Sequence, residues 1–203
     1  MFESWRIKGT IAKLQHDNPD VRRAALEKVR NMRPVPDKAL PALIALLEDP
    51  YEVIRFYSAD AIERVVPPAT SAVPALIRAY GRNTNEDVRT MVLAAFGGIG
   101  ESAAEAVPLL ITAITSGTSK EKLFASEAVA RTGRAGVKAI PTLVAAMLNE
   151  SNDPRLRVNA AGAIGFIGTS QHQEAIEALR KASNDTNAEI QENAKESLRR
   201  LYE

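Results

Sequence analysis

The chain has 203 residues, 45% hydrophobic, 25% charged and 5% aromatic, with a net charge of +1. This is an ordinary globular composition built on small aliphatic side chains, and so slight a charge gives no global field toward nucleic acid or an anionic membrane. There is no cysteine, which excludes disulfides, thiolate metal sites and a cysteine nucleophile, and is compatible with a cytoplasmic protein.

The segment 1–15 carries Glu3, Arg6, Lys8 and Lys13, so it lacks the apolar core of a signal peptide. No apolar run approaches the length of a transmembrane helix. A first predicted helix places Trp5, Ile7, Ile11 and Leu14 on one face, and His16 to Pro19 turn the chain. A second follows with Val21, Ala25, Val29 and Met32 inward, Asn18 as N-cap and Pro19 at the first helical position. The Arg33-Pro34-Val35-Pro36 segment stops it.

The same pattern then returns. Leu40-Pro41-Ala42-Leu43 opens a helix, Glu48-Asp49-Pro50 turns, and a second helix buries Ile54, Ser58, Ala61, Ile62 and Val65. Val73-Pro74 opens the third pair, with Val88, Val92, Ala95, Phe96 and Ile99 inward, and Gly97-Gly98 with Gly100 as its stop. Val107-Pro108 opens the fourth, closing at Thr132-Gly133. Ile140-Pro141 opens the fifth, with Leu156, Ala160, Ala163, Ile164 and Ile167 inward. The sixth holds Ile176 and Leu179, then Ile190, Ala194 and Leu198.

Pro41, Pro74, Pro108 and Pro141 recur at 33, 34 and 33 residues, and Arg22, Arg55, Arg89, Lys122, Arg157 and Gln191 at 33, 34, 33, 35 and 34. Such a period means a solenoid of two-helix units. The units resemble HEAT repeats, in their short, phycobilin-lyase-like variety. The carrying residues are Val73-Pro74, Val107-Pro108 and Ile140-Pro141, then the pairs Val21-Arg22, Ile54-Arg55, Val88-Arg89 and Leu156-Arg157. The endings Phe96-Gly97-Gly98-Ile99-Gly100 and Ile164-Gly165-Phe166-Ile167-Gly168 complete the pattern. The resemblance implies an all-α right-handed superhelix of six helix pairs, roughly 4–33, 37–67, 70–100, 103–133, 136–168 and 171–203. The reading is one domain, 1–203, with atypical end repeats acting as caps of a complete array. It also implies that the ladder arginine bonds the turn of its own or a neighbouring repeat, where Asp17, Asp49, Asp153 and Asp185 lie. Second helices would line the concave face.

Chemistry is scarce. HEAT-like hydroxylases hold two irons with His-Glu pairs, whereas His16 and His172 are not followed by glutamate, so no metal or other cofactor is expected. No Gly-x-Ser-x-Gly elbow occurs, and the reading is non-catalytic. The ladder Arg22, Arg55, Arg89, Lys122 and Arg157 is read as structural, against a nucleic-acid track, because Glu27, Glu63 and Glu127 interleave with it.

The anomaly is apolar. On a second helix, sites two, six and ten after the ladder aliphatic oppose the core and should be wet. Yet Phe56, Leu123, Val158 and Phe166 stand there, with Tyr57, Met91 and Phe124 beside them, rimmed by Arg23, Arg64, Arg131 and Glu192. Ala94, Gly97, Gly98, Gly162 and Gly165 continue the same face. Either this is a recognition groove or the superhelix uses it for packing between repeats. The groove reading makes the chain an interaction module for a protein or peptide segment, or for a second copy of itself. The alternatives are a bilin lyase or chaperone subunit acting on a phycobiliprotein, and nucleic-acid binding through the ladder.

Overall fold

A proline lacks the N–H that is an orphan anyway in a helix's first turn, so a recurring proline should open helices. The computed structural model, which describes residues 2–203 and the side chains from Ile7 onward, has it so. Twelve α-helices are described. They are α1 (Phe2–Ala12), α2 (Pro19–Arg30), α3 (Leu40–Leu46), α4 (Glu52–Glu63), α5 (Val73–Arg82) and α6 (Glu86–Ile99), then α7 (Val107–Ser116), α8 (Ser119–Ala130), α9 (Ile140–Leu148), α10 (Pro154–Ile167), α11 (Gln173–Ala182) and α12 (Ala188–Leu201). Pro41, Pro74, Pro108 and Pro141 stand second in α3, α5, α7 and α9. A short 3-10 segment precedes each of these helices, a feature no periodicity announced. Trp5 lies outside the described side chains.

The backbone gathers into two compact units, 1–99 and 100–203. In the first, the second helices α2, α4 and α6 pack in sequence, with α3 against α4 and α5 against α6. Leu26, Leu43, Ile54, Ile62, Leu76 and Phe96 are fully buried between the layers. Strands β1 (Val35–Pro36) and β2 (Val65–Val66) pair in parallel, Val35 with Val65, after the ends of α2 and α4. In the second unit α8, α10 and α12 form one layer and α7, α9 and α11 the other, burying Leu110, Val129, Leu143, Ile164, Leu179 and Ile190. Both units are thus stacks of helix pairs, all-α as the repeat predicts.

The stretch Glu86–Ser116 is long and apolar enough to cross a membrane by length and composition. Its backbone is not one helix, because Gly100 takes φ 68°, a left-handed conformation suited to glycine, and ends α6.

Three expectations about local roles are corrected. Gly97 and Gly98 do not stop their helix; both lie within α6. A Cβ on Gly98 would stand 2.4 Å from the Glu63 carbonyl oxygen, so this glycine lets α6 approach α4. Gly165 does not face solvent either: it is buried, and its Cβ would meet Ser197, whose hydroxyl donates to the Ala161 carbonyl oxygen at 2.8 Å. Nor are sites two and six after the ladder aliphatic uniformly wet, since Thr90 and Asp60 are buried at 6% and 5% exposure. Close packing of neighbouring second helices covers positions that an isolated helix would expose.

Candidate functional site

Most ladder side chains are engaged by structure around them. The Arg22 Nε donates to Asp49 at 2.7 Å, and its Nη1 to the His16 and Asp17 carbonyl oxygens. Arg55 donates to the Asn83 side chain at 2.7 Å and to the Asp49 and Pro50 carbonyl oxygens. Arg157 donates to the Met147 carbonyl oxygen at 2.8 Å and pairs with Asp185 one repeat on. The Asn187 backbone N–H, and then Arg157, hold the Asp185 carboxyl below the usual range. Arg89 departs from this scheme: it bonds the Tyr80 hydroxyl at 2.8 Å and lies 4.3 Å from that ring's centroid. Lys122 is half-buried. Asp153 does not take a ladder side chain; it caps α10 and pairs with the neighbouring Arg155. The histidines serve turns, His16 Nδ1 accepting from the Asn18 N–H and His172 Nδ1 from the Thr169 N–H, each at 3.0 Å.

Glu121, which breaks the ladder pair, has a local reason. It forms a capping box with Thr118, whose N–H donates to Glu121 at 2.9 Å while its hydroxyl accepts from the Glu121 N–H. The carboxylate is 2% exposed, filling the place that an aliphatic holds in other repeats. The Thr-x-x-Glu spelling was the available signal.

The candidate recognition residues fall in two sets. In the first unit Phe56, Tyr57 and Met91 are half-buried, Phe56 and Tyr57 meeting edge-to-face at 5.4 Å. In the second, Leu123, Phe124 and Val158 are half-buried, and Phe166 is 63% exposed. Of these, Val158 and Phe166 line an open groove of about 510 Å³ running over α8, α10 and α12. Ala130, Gly162 and Ala163 complete its apolar floor, with Glu127, Arg131, Asn159 and Asn193 as its polar groups. The floor is wide because Gly162 has no side chain: a Cβ there would find only the Asn193 Oδ1, at 3.8 Å. Asn159 donates to Glu127 at 3.1 Å, which fixes its amide. The Arg200 guanidinium lies 4.3 Å from the Phe166 ring centroid, with its Nε on Glu196 at 3.1 Å. Hydrogen bonds from Arg199 and Arg200 push the Glu196 carboxyl down to about 2. Among the described residues no three His, Cys, Asp or Glu side chains come together as a metal group.

A second cluster escaped the sequence. Asp60 sits between Arg30, whose Nε donates at 2.7 Å, and Arg64, with Arg30 4.3 Å from the Tyr57 ring centroid. Arg64 stands only four residues on from Asp60, but Arg30 comes from the preceding repeat, and no short motif links it to them.

The family model for HEAT repeats matches residues 40–127 and 107–199, which is most of the chain. The chain belongs to the HEAT-repeat family. The match names HEAT repeats as such, not the short phycobilin-lyase-like variety. No curated protein matches this HEAT-repeat chain in sequence. Solved structures resemble it closely in fold. An engineered protein superposes with a TM-score of 0.71 at 19% identity, covering 97% of this chain and 96% of that one. A designed armadillo repeat protein gives 0.69 at 18%, covering 96% and 99%. Another, in complex with the peptide (KR)4, gives 0.74 at 17%, again covering 96% and 99%.

Proposed function

We propose that this HEAT-repeat protein is a non-catalytic interaction module, and that the groove over α8, α10 and α12 holds an extended segment of a partner protein. The observation that carries the reading is the groove's lining. Val158, Gly162 and Phe166 offer an apolar floor, while Asn159 and Asn193 present two amides one repeat apart. A side-chain amide has both a donor and an acceptor, which complements a peptide group. A helix satisfies its own backbone, so it would leave these amides idle, whereas an extended segment brings unpaired N–H and C=O groups to them. The volume lies within the range of recognition pockets, and a surface open along one side suits a chain passing through better than an enclosed small molecule. One designed repeat protein of the same fold is bound to a peptide, which supports the reading by analogy of fold. Against a nucleic-acid track stands the use of Arg22, Arg55 and Arg157 by their turns and neighbours; a phosphate would have to break those bonds.

Gly162 supplies the test. Gly162→Gln puts a side chain into the groove from a Cβ position that meets only ordinary contact, and it replaces a mid-helix glycine, a change worth up to about 1 kcal/mol of added stability. Peptides selected by phage display against the wild type are expected to lose binding at least about ten-fold on this variant and on Phe166→Ser, with helical circular dichroism unchanged. Selected peptides that bind both variants as well as the wild type, or a selection yielding none, would overturn the assignment.

A further inference from the structure

The arginine cluster at the ends of α2 and α4 is independent of that groove and carries an inference of its own. Arg30 and Arg64 there share a single carboxylate, Asp60, 5% exposed, and Arg33 stands two residues before Val35, whose N–H donates to the Arg64 carbonyl oxygen at 3.3 Å. Asp60 fixes two of them, and Arg64 also donates to the Arg30 carbonyl oxygen at 3.3 Å. Among the described residues Arg33 has no carboxylate partner, and it is exposed. On the same helix as Arg30, Glu27 pairs with Arg23 at 3.4 Å. Two guanidiniums thus share one carboxylate with a third arginine close by, in a chain whose overall charge is only +1. Burial, then Arg30 and Arg33, hold the Arg64 guanidinium below its ordinary value, as expected where like charges are crowded.

We propose that Arg30, Arg33 and Arg64 form a docking site for an acidic segment of a partner protein, with its glutamate or aspartate carboxylates taken by Arg33 beside the two arginines that Asp60 anchors. Charge complementarity selects this occupant. Guanidinium forks match carboxylates bidentately, and the two anchored arginines have already lost their side-chain freedom to Asp60, so little more is lost on binding. A nucleic acid fits less well, because the Tyr57 face is covered by Arg30 and offers no platform for a base. The positive region is also local, the size of one or two acidic side chains.

The test uses the full chain with labelled octaglutamate, octalysine and an eight-nucleotide DNA strand, read by fluorescence anisotropy at low salt. Octaglutamate is expected to bind and to shift the Nε–Hε resonances of Arg30 and Arg64. Arg33→Glu should weaken it at least about ten-fold, whereas Arg155→Glu, reversing an exposed arginine in the other unit, should not. Absence of octaglutamate binding, or equal effects of the two substitutions, would overturn the proposal. So would octalysine or the DNA strand binding as tightly as octaglutamate. The site lies wholly in the first unit, so the fate of the groove variants neither supports nor removes it.

Discussion

At the residue scale, glycines that look alike in sequence do opposite things. Gly98 is a contact, Gly100 a backbone conformation and Gly162 an open space. Their consequences differ accordingly. Gly98→Ala forces a methyl to within 2.4 Å of the Glu63 carbonyl oxygen, and should destabilise the protein by about 1–3 kcal/mol in urea unfolding. Gly162→Ala should be neutral or add up to about 1 kcal/mol in the same measurement. A run of small residues on a helix announces that something comes close, but not what. The partner of Gly98 lies one repeat away, and no local pattern points to it.

At the element scale, helix starts were the legible part. The prolines, Asn18 before Pro19, and the Thr118-x-x-Glu121 spelling each act through backbone groups within a few residues. Thr118→Ala removes the acceptor for the Glu121 N–H and should cost about 1 kcal/mol. Thermal unfolding of that variant should show the lowered midpoint, and Thr118→Ser should restore most of it. Asp185 joins two repeats and gives a pH dependence. Its folded pKa lies below its ordinary value, so unfolding takes up a proton. Its contribution is therefore full above about pH 4 and is lost as pH falls further, through the folded pKa. Asp185→Asn should flatten the acid limb of stability below about pH 4 and lower stability at neutral pH. Identical limbs for wild type and variant in acid titration would remove Asp185 from the account.

At the scale of the whole molecule, a repeat array is stabilised by each pair and its neighbours. The contacts gather into units 1–99 and 100–203, whereas the repeats by themselves read as one domain. A destabilising change confined to the second unit distinguishes these pictures. Gly165→Ala, which presses a methyl onto Ser197, should raise hydrogen exchange across α8, α10 and α12 well before α2 and α4. Equal loss of protection throughout would speak for a single cooperative domain.

The sequence by itself determined the all-α class, the six helix pairs, the helix openings and the inward stripe. All of these follow from chemistry repeated within one 33–35-residue unit. It also drew attention to the face opposite that stripe, and to Val158 and Phe166 on it. Only the tertiary structure decided how much of that face is covered. Most of its large side chains are half-covered, Phe56 against Tyr57 among them, and a groove opens over the floor around Gly162. The Asp60 clamp was equally out of reach. Whether a residue beyond the core stripe is wet, packed or paired depends on how closely the next helix of the same layer approaches, and that distance is set by side chains about thirty residues away.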